Sequence, residues 1–207
     1  MAPSRGEEVA NSVSHGLGLL ASLVGVPLLL VTAAGRGTGA VVGASVFGAA
    51  LLVLYGSSTL YHALPRGRAK RALRFLDHAA IFLLIAGTYT PFTLTVLRGA
   101  WGWSLLGVVW GLALAGTALK AVGWLRQPAL STGLYLTMGW LAVVAIRPLG
   151  DRLPVLGFLW LLAGGLLYTA GLPFFAARRL RYAHFLWHLF VLAGTTCHYL
   201  AVLRYAA

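Results

Sequence analysis

The sequence is poor in charged residues and poorest in acidic ones. Only 10% of its 207 residues are charged, and four of those are acidic, whereas a soluble domain typically has about 25% charged residues. Hydrophobic residues make up 59% of the chain. Because so little polar material is available to cover a surface, most of the surface must face lipid or other helices. The composition excludes an ordinary soluble domain.

Cysteine is almost absent as well, since Cys197 is the only one. A single thiol excludes an internal disulfide framework and a four-cysteine zinc site. Cys197 lies inside an apolar run, which favours a small buried residue. A cleaved signal peptide is not predicted either, because Glu7 and Glu8 oppose the single Arg5 near the N-terminus.

Apolar runs fill almost the whole chain. A membrane-spanning helix needs about 20 mostly apolar residues. Short breaks rich in Gly, Pro or charged residues leave seven segments of that size, over residues 10–34, 40–64, 75–97, 101–123, 129–147, 154–176 and 184–203. The sequence therefore predicts one all-α domain over residues 1–207, a seven-transmembrane helix bundle with short connections.

The lysines and arginines, which give a net charge of +12, lie mainly in the breaks between the apolar runs. Nucleic-acid binding is not predicted, because it needs a polar scaffold that displays a basic patch. Eleven of the sixteen belong to one side of the bundle: Arg5, Arg66, Arg68, Lys70, Arg71, Arg74, Lys120, Arg126, Arg178, Arg179 and Arg181. Arg36, Arg98, Arg147, Arg152 and Arg204 belong to the other side. The positive-inside rule therefore predicts a cytoplasmic N-terminus and an outer C-terminus.

Few ionisable residues lie inside the predicted spans, where lipid makes them costly and functional roles are expected. The histidines and acidic residues among them are His15, His62, Asp77, His78, His184, His188 and His198. The first, third and seventh spans start at the same membrane face at which the second span ends. All of these residues except His198 therefore lie within about two helical turns of that face, and His198 lies about 15 Å deeper than His188.

The spacing of His184 and His188 predicts a metal site. Residues four apart project from one helix face and can offer two imidazoles to one ion. His62 would complete the three-histidine set of a catalytic zinc centre, with a position left for water. Asp77 would then orient that water or take its proton. The simpler interpretations are interhelical hydrogen bonds for the histidines and pairing of Asp77 with the run Arg68–Arg74.

Other polar residues share this layer and are candidates for supporting roles. Ser58 lies one turn before His62 on the second span. Glu8, Asn11 and His15 fall on one face of the first span, at spacings of three and four residues. Asn11, His15 and His78 are therefore possible hydrogen-bond partners around the metal ligands.

Four segments carry the residues of a known family. They are E-E-V-A-N-S-V-S-H (7–15), S-S-T-L-Y-H (57–62), F-L-D-H-A-A-I-F-L-L-I-A-G-T-Y-T-P (75–91) and H-F-L-W-H…C-H (184–198). Together they resemble the hemolysin III family, which belongs with the progestin and adipoQ receptors, including the adiponectin receptors. The resemblance implies that His62, His184 and His188 bind zinc, with Ser58 in the motif of His62. It also implies that Asp77 orients the zinc-bound water.

Three functions fit these observations. The first is an intramembrane zinc hydrolase that cleaves an amide or ester of a membrane lipid, with Ser58 supporting the developing oxyanion. The second is a pore-forming cytolysin, which the uniformly apolar spans disfavour because they have no polar ring to line a channel. The third is a non-catalytic receptor or regulator with a structural zinc. The expected location is a bacterial plasma membrane, and a membrane lipid is the expected ligand.

Overall fold

The chain folds as a bundle of seven long helices in the computed structural model, which describes residues 3–125, 127–177 and 179–207. Seven helices there are long and apolar enough to cross a membrane: α1 (Arg5–Ala34), α2 (Thr38–Ala63), α3 (Arg68–Thr95), α4 (Ala100–Ala121), α5 (Pro128–Gly150), α6 (Val155–Ala176) and α7 (Ala183–Tyr205). The described residues contain no strand. The predicted all-α, seven-span fold class is confirmed. Arg126 and Arg178, two of the eleven basic residues assigned to one side, lie outside the described residues.

Two helices begin five or more residues before the apolar segments predicted for them. A capping box starts α1 at Arg5: the Glu7 backbone N–H donates to Ser4 Oγ, and the Ser4 N–H donates to the Glu7 carboxylate. α3 starts at Arg68, so the run Arg68–Arg74 is helical, although the sequence suggested a loop there. An apolar run identifies only the residues that lipid can surround. Arg, Lys, Ala and Leu also favour a helix in water, so a helix can continue past the end of its apolar run. Both helices therefore extend charged turns beyond their apolar parts.

The helices pack unevenly around the bundle. α2 packs along both α1 and α3, α3 packs on α4, α6 packs on α7, and α7 returns to α1. α5 makes far fewer contacts with its neighbours α3, α4 and α6. This looser packing leaves an internal space between α3, α5, α6 and α7.

α5 is also irregular at its centre. An α-helix over Pro128–Trp140 gives way to a 3₁₀ stretch over Leu141–Ala145, and a short α-helical turn follows. The Tyr89 hydroxyl of α3 stabilises this break, because it accepts the Ala142 N–H at 2.8 Å and donates to the Gly139 carbonyl at 2.9 Å. Tyr89 thus satisfies backbone groups that a regular helix would pair internally.

Candidate metal centre

Three histidines from two helices meet at the end of the bundle where α1 begins. His62 lies in the last turn of α2, and His184 and His188 lie in the first two turns of α7. Each offers one ring nitrogen, and these nitrogens all lie within 4.8 Å of one another. The ring centroids are 4.6 to 5.1 Å apart. The fold therefore brings together the three side chains that the sequence predicted as metal ligands.

The donor set is of the kind that binds zinc, but the rings would have to move inward to hold the ion. Two nitrogens bound to one tetrahedral zinc at about 2.0–2.1 Å each lie roughly 3.4 Å apart. Spacings of up to 4.8 Å would therefore have to close by up to about 1.4 Å. His62 Nε2 is buried and has no hydrogen-bond partner, although buried polar atoms are normally satisfied. An ion bound by the three imidazoles would satisfy this nitrogen.

A carboxylate on α1 orients His62. Glu8 Oε2 lies 2.7 Å from His62 Nδ1, and Glu8 Oε1 accepts a hydrogen bond from Lys70 Nζ at 2.8 Å. Because a carboxylate only accepts, Nδ1 is the protonated nitrogen, and Nε2 keeps the lone pair that a metal needs. Asn11 Nδ2, 3.5 Å from the same Nδ1, is also a donor, so it cannot hydrogen bond there. Carboxylate–histidine pairs of this kind fix the rings of metal ligands.

His188 is oriented by α1 in the same way. Its Nδ1 lies 3.1 Å from the Asn11 carbonyl oxygen and 3.0 Å from Ser14 Oγ. The Ser14 hydroxyl donates to that same carbonyl at 2.9 Å, so its oxygen is free to accept from Nδ1–H. His188 is only 1% exposed, and its Nε2 is left to face the cluster. The sequence indicated this face of α1 through Asn11 but gave Ser14 no role.

Two further histidines lie beside the cluster without joining it. The His15 ring stacks on the His188 ring, with centroids 3.5 Å apart and planes at 7°. Both nitrogens of His15 are buried without a hydrogen-bond partner. His78 Nδ1 donates to the Arg74 carbonyl at 2.6 Å and lies 3.7 Å from Asp77 Oδ2. His15 and His78 are therefore neighbours of the candidate ligands and of Asp77, respectively.

Asp77 and the two α7 histidines face a common apolar cavity. The cavity lies between α3, α5, α6 and α7 and is partly open to the outside. Its wall is mainly apolar and aromatic, including Leu54, Ile81, Leu84, Ile85, Tyr89, Trp140, Leu172, Phe175, Trp187 and Val191. The polar end carrying Asp77, His184 and His188 could hold the reacting group of a molecule whose apolar part fills the rest.

Neither Ser58 nor His198 lies at the polar end of the cavity. Ser58 is fully buried, its Oγ has no hydrogen-bond partner, and it does not line the cavity. It lies close to the Asp77 carboxyl. His198 lines the cavity further along α7, and its Nε2 donates to the Leu161 carbonyl at 3.2 Å. The depth expected for His198 agrees with its absence from the histidine cluster.

Known proteins are similar to this chain along nearly its full length. A family profile described as "Haemolysin-III related" matches residues 4–199. The chain belongs to the haemolysin-III-related family. It is 44% identical over 200 residues to Hemolysin-3 of Bacillus cereus, a match covering 96% of this chain and 91% of that protein. It is 42% identical over 200 residues to the Hemolysin-3 homolog of Bacillus subtilis, covering 96% and 94%.

The haemolysin-III-related chain also has a more distant animal relative. Human monocyte to macrophage differentiation factor is 25% identical over 209 residues, covering 98% of this chain and 86% of that protein. No solved structure matches the chain. The predicted family resemblance is thus confirmed. With seven apolar helices and Bacillus relatives, this haemolysin-III-related protein is a multi-pass integral membrane protein of the bacterial plasma membrane.

Proposed function

We propose that this haemolysin-III-related protein is a zinc-dependent hydrolase that cleaves an amide or ester bond of a membrane lipid. The observation that supports this most is the apolar cavity that ends in Asp77, His184 and His188. His62, His184 and His188 would hold the ion, since their nitrogens converge within 4.8 Å. When bound, zinc supplies Lewis-acid polarisation of the substrate carbonyl and a more acidic water.

The remaining chemistry belongs to the side chains around the cluster. Asp77 is the catalytic residue of the proposal: its carboxylate accepts a proton from the attacking water and delivers it to the leaving amine or alcohol. Ser58 lies near the Asp77 carboxyl, and in this proposal its hydroxyl turns to donate to the carboxylate and hold it in position. Its full burial makes that role more consistent with the geometry than support of an oxyanion. The apolar wall of the cavity would take up an acyl chain and exclude water.

A pore-forming function has less support. The name of the Bacillus cereus relative is Hemolysin-3, but the cavity wall of the present chain is mainly apolar. Ion channels are lined by rings of carbonyls or charged side chains. Lysis by this protein would therefore be indirect.

A single set of variants separates catalysis from a purely structural zinc. Wild type, Asp77→Asn and His188→Ala are purified in detergent, and zinc content and fatty-acid release from ester and amide lipids are measured. We expect about one zinc per chain in wild type and Asp77→Asn, and little in His188→Ala. Asp77→Asn should lower the rate by at least about 100-fold while keeping its zinc.

Two results would contradict the hydrolase. One is wild-type protein that carries zinc but releases no fatty acid from any lipid class tested. The other is an Asp77→Asn variant as active as wild type, since the carboxylate would then have no part in the reaction. Retained zinc without turnover would instead favour a structural ion that ties α2 to α7.

A further inference from the structure

A second cleft reaches the histidine cluster from the end of the bundle where α1 begins. This basic cleft lies between the start of α1, the end of α2 and the start of α3, and its cations are Arg5, Arg66, Lys70, Arg71 and Arg74. His62 also lines it. The basic cleft shares no lining residue with the apolar cavity. His62 lines the basic cleft, whereas the other two candidate ligands, His184 and His188, line the apolar cavity. The histidine cluster therefore lies between the two spaces.

Most of the positive charge in the basic cleft has no counter-charge within the protein. Glu8 is the one acidic residue that lines it, and its two oxygens are taken by His62 and Lys70, at 2.7 and 2.8 Å. All four acidic residues of the chain are described by the structure, and none forms a salt bridge with the cleft's four arginines. Free guanidinium groups are the side chains best suited to bind phosphate oxygens in pairs.

The edge of the basic cleft includes exposed apolar residues of α1. Val9 and Val13 on α1 both line the cleft and are each 56% exposed, and exposed valines on a spanning helix contact acyl chains. A ligand held there would meet guanidinium groups on one side and hydrocarbon on the other. Anionic phospholipids combine these two properties, and basic residues next to a spanning helix attract them.

We propose that the basic cleft binds the phosphate of an anionic phospholipid, with the headgroup beside His62. That this lipid is also the substrate rests on the hydrolase proposal, whereas the binding site itself does not. The structure favours the lipid over free phosphate because hydrocarbon-facing valines form part of the same cleft.

The test measures binding rather than turnover, so that it stands apart from the proposed catalysis. Native mass spectrometry of the purified full chain compares dioctanoyl phosphatidylglycerol with dioctanoyl phosphatidylcholine, and inorganic phosphate serves as a competitor. The cleft variant is Arg66→Gln/Arg71→Gln. The matched control is Arg68→Gln/Arg179→Gln, which removes the same charge from exposed positions that do not line the cleft.

We expect wild type to bind phosphatidylglycerol about ten-fold more tightly than phosphatidylcholine. The cleft variant should lose this preference, and the control should keep it. Equal binding of the two lipids by wild type, or equal loss in cleft and control variants, would overturn the site, because general attraction to basic surface would then explain the data. Binding of inorganic phosphate as tightly as the lipid would overturn the assignment to a phospholipid.

Discussion

At the scale of single residues, the Glu8 carboxylate has the most direct influence on the candidate ligands. It accepts from His62 Nδ1 at 2.7 Å and from Lys70 at 2.8 Å. Glu8→Gln removes the negative charge that supports the imidazole, so we expect zinc affinity to fall by about 10- to 100-fold. Competition with a metal chelator measures the change.

Glu7→Gln is the matched control for this prediction. Glu7 carries the same charge one residue away, but it accepts from the backbone N–H groups of Ser4 and Tyr182. Glu7→Gln should therefore leave the zinc affinity almost unchanged. Equal losses in the two variants would show that Glu8 acts through the net charge of this end of the protein, not through His62.

The sequence predicted which histidines share a layer, because helix order alone determines their depth. It could not predict which atoms touch. Glu8 lies outside the apolar segment, and its spacing indicates only a helix face shared with Asn11 and His15, whereas the structure pairs it with His62. The stacking of His15 on His188 and the burial of Ser58 depend on helix rotation, which periodicity does not fix to within one side chain.

At the scale of helices, Gly43 determines how closely α2 approaches α3. A Cβ at this position would lie 2.6 Å from Pro91 Cα, so the two backbones would have to separate. We expect Gly43→Ala to lower the free energy of unfolding by about 1–3 kcal/mol, the usual cost of overpacking. Thermal unfolding in detergent measures the effect.

Gly111→Ala on α4 is the control for Gly43→Ala. A Cβ there meets no atom within 4 Å, and alanine has the higher helix propensity. It should be neutral or slightly stabilising. If both variants melt at the same temperature as wild type, close α2–α3 contact contributes nothing measurable to stability.

The helices were easier to predict than their ends. Apolar runs identify the parts that lipid can surround, which is why all seven spans were found. The runs gave no information on the capping box at Ser4 and Glu7 or on the helical turns of Arg68–Arg74. Those turns are polar, and their helicity depends on propensity and capping rather than on burial.

At the scale of the whole molecule, the odd number of spans places the two termini at opposite membrane faces. The histidine cluster lies at the end where α1 begins, α2 ends and α7 begins. Arg5, Arg66 of the α2–α3 connection, and Arg71 and Arg74 in the first turns of α3 line a common cleft at this same end. Cluster and basic residues therefore share one face whichever way the bundle is inserted.

The positive-inside rule predicts that this face is cytoplasmic, and reporter fusions can check it. Alkaline phosphatase folds only outside the cytoplasm, so a fusion to the C-terminus after Ala207 should be active and one placed after Arg66 should be inactive. The reverse result would put the basic end outside. The histidine cluster would then meet lipids of the outer leaflet, and the proposed phosphate site would have to draw its ligand from there. Orientation thus decides which leaflet supplies the lipid.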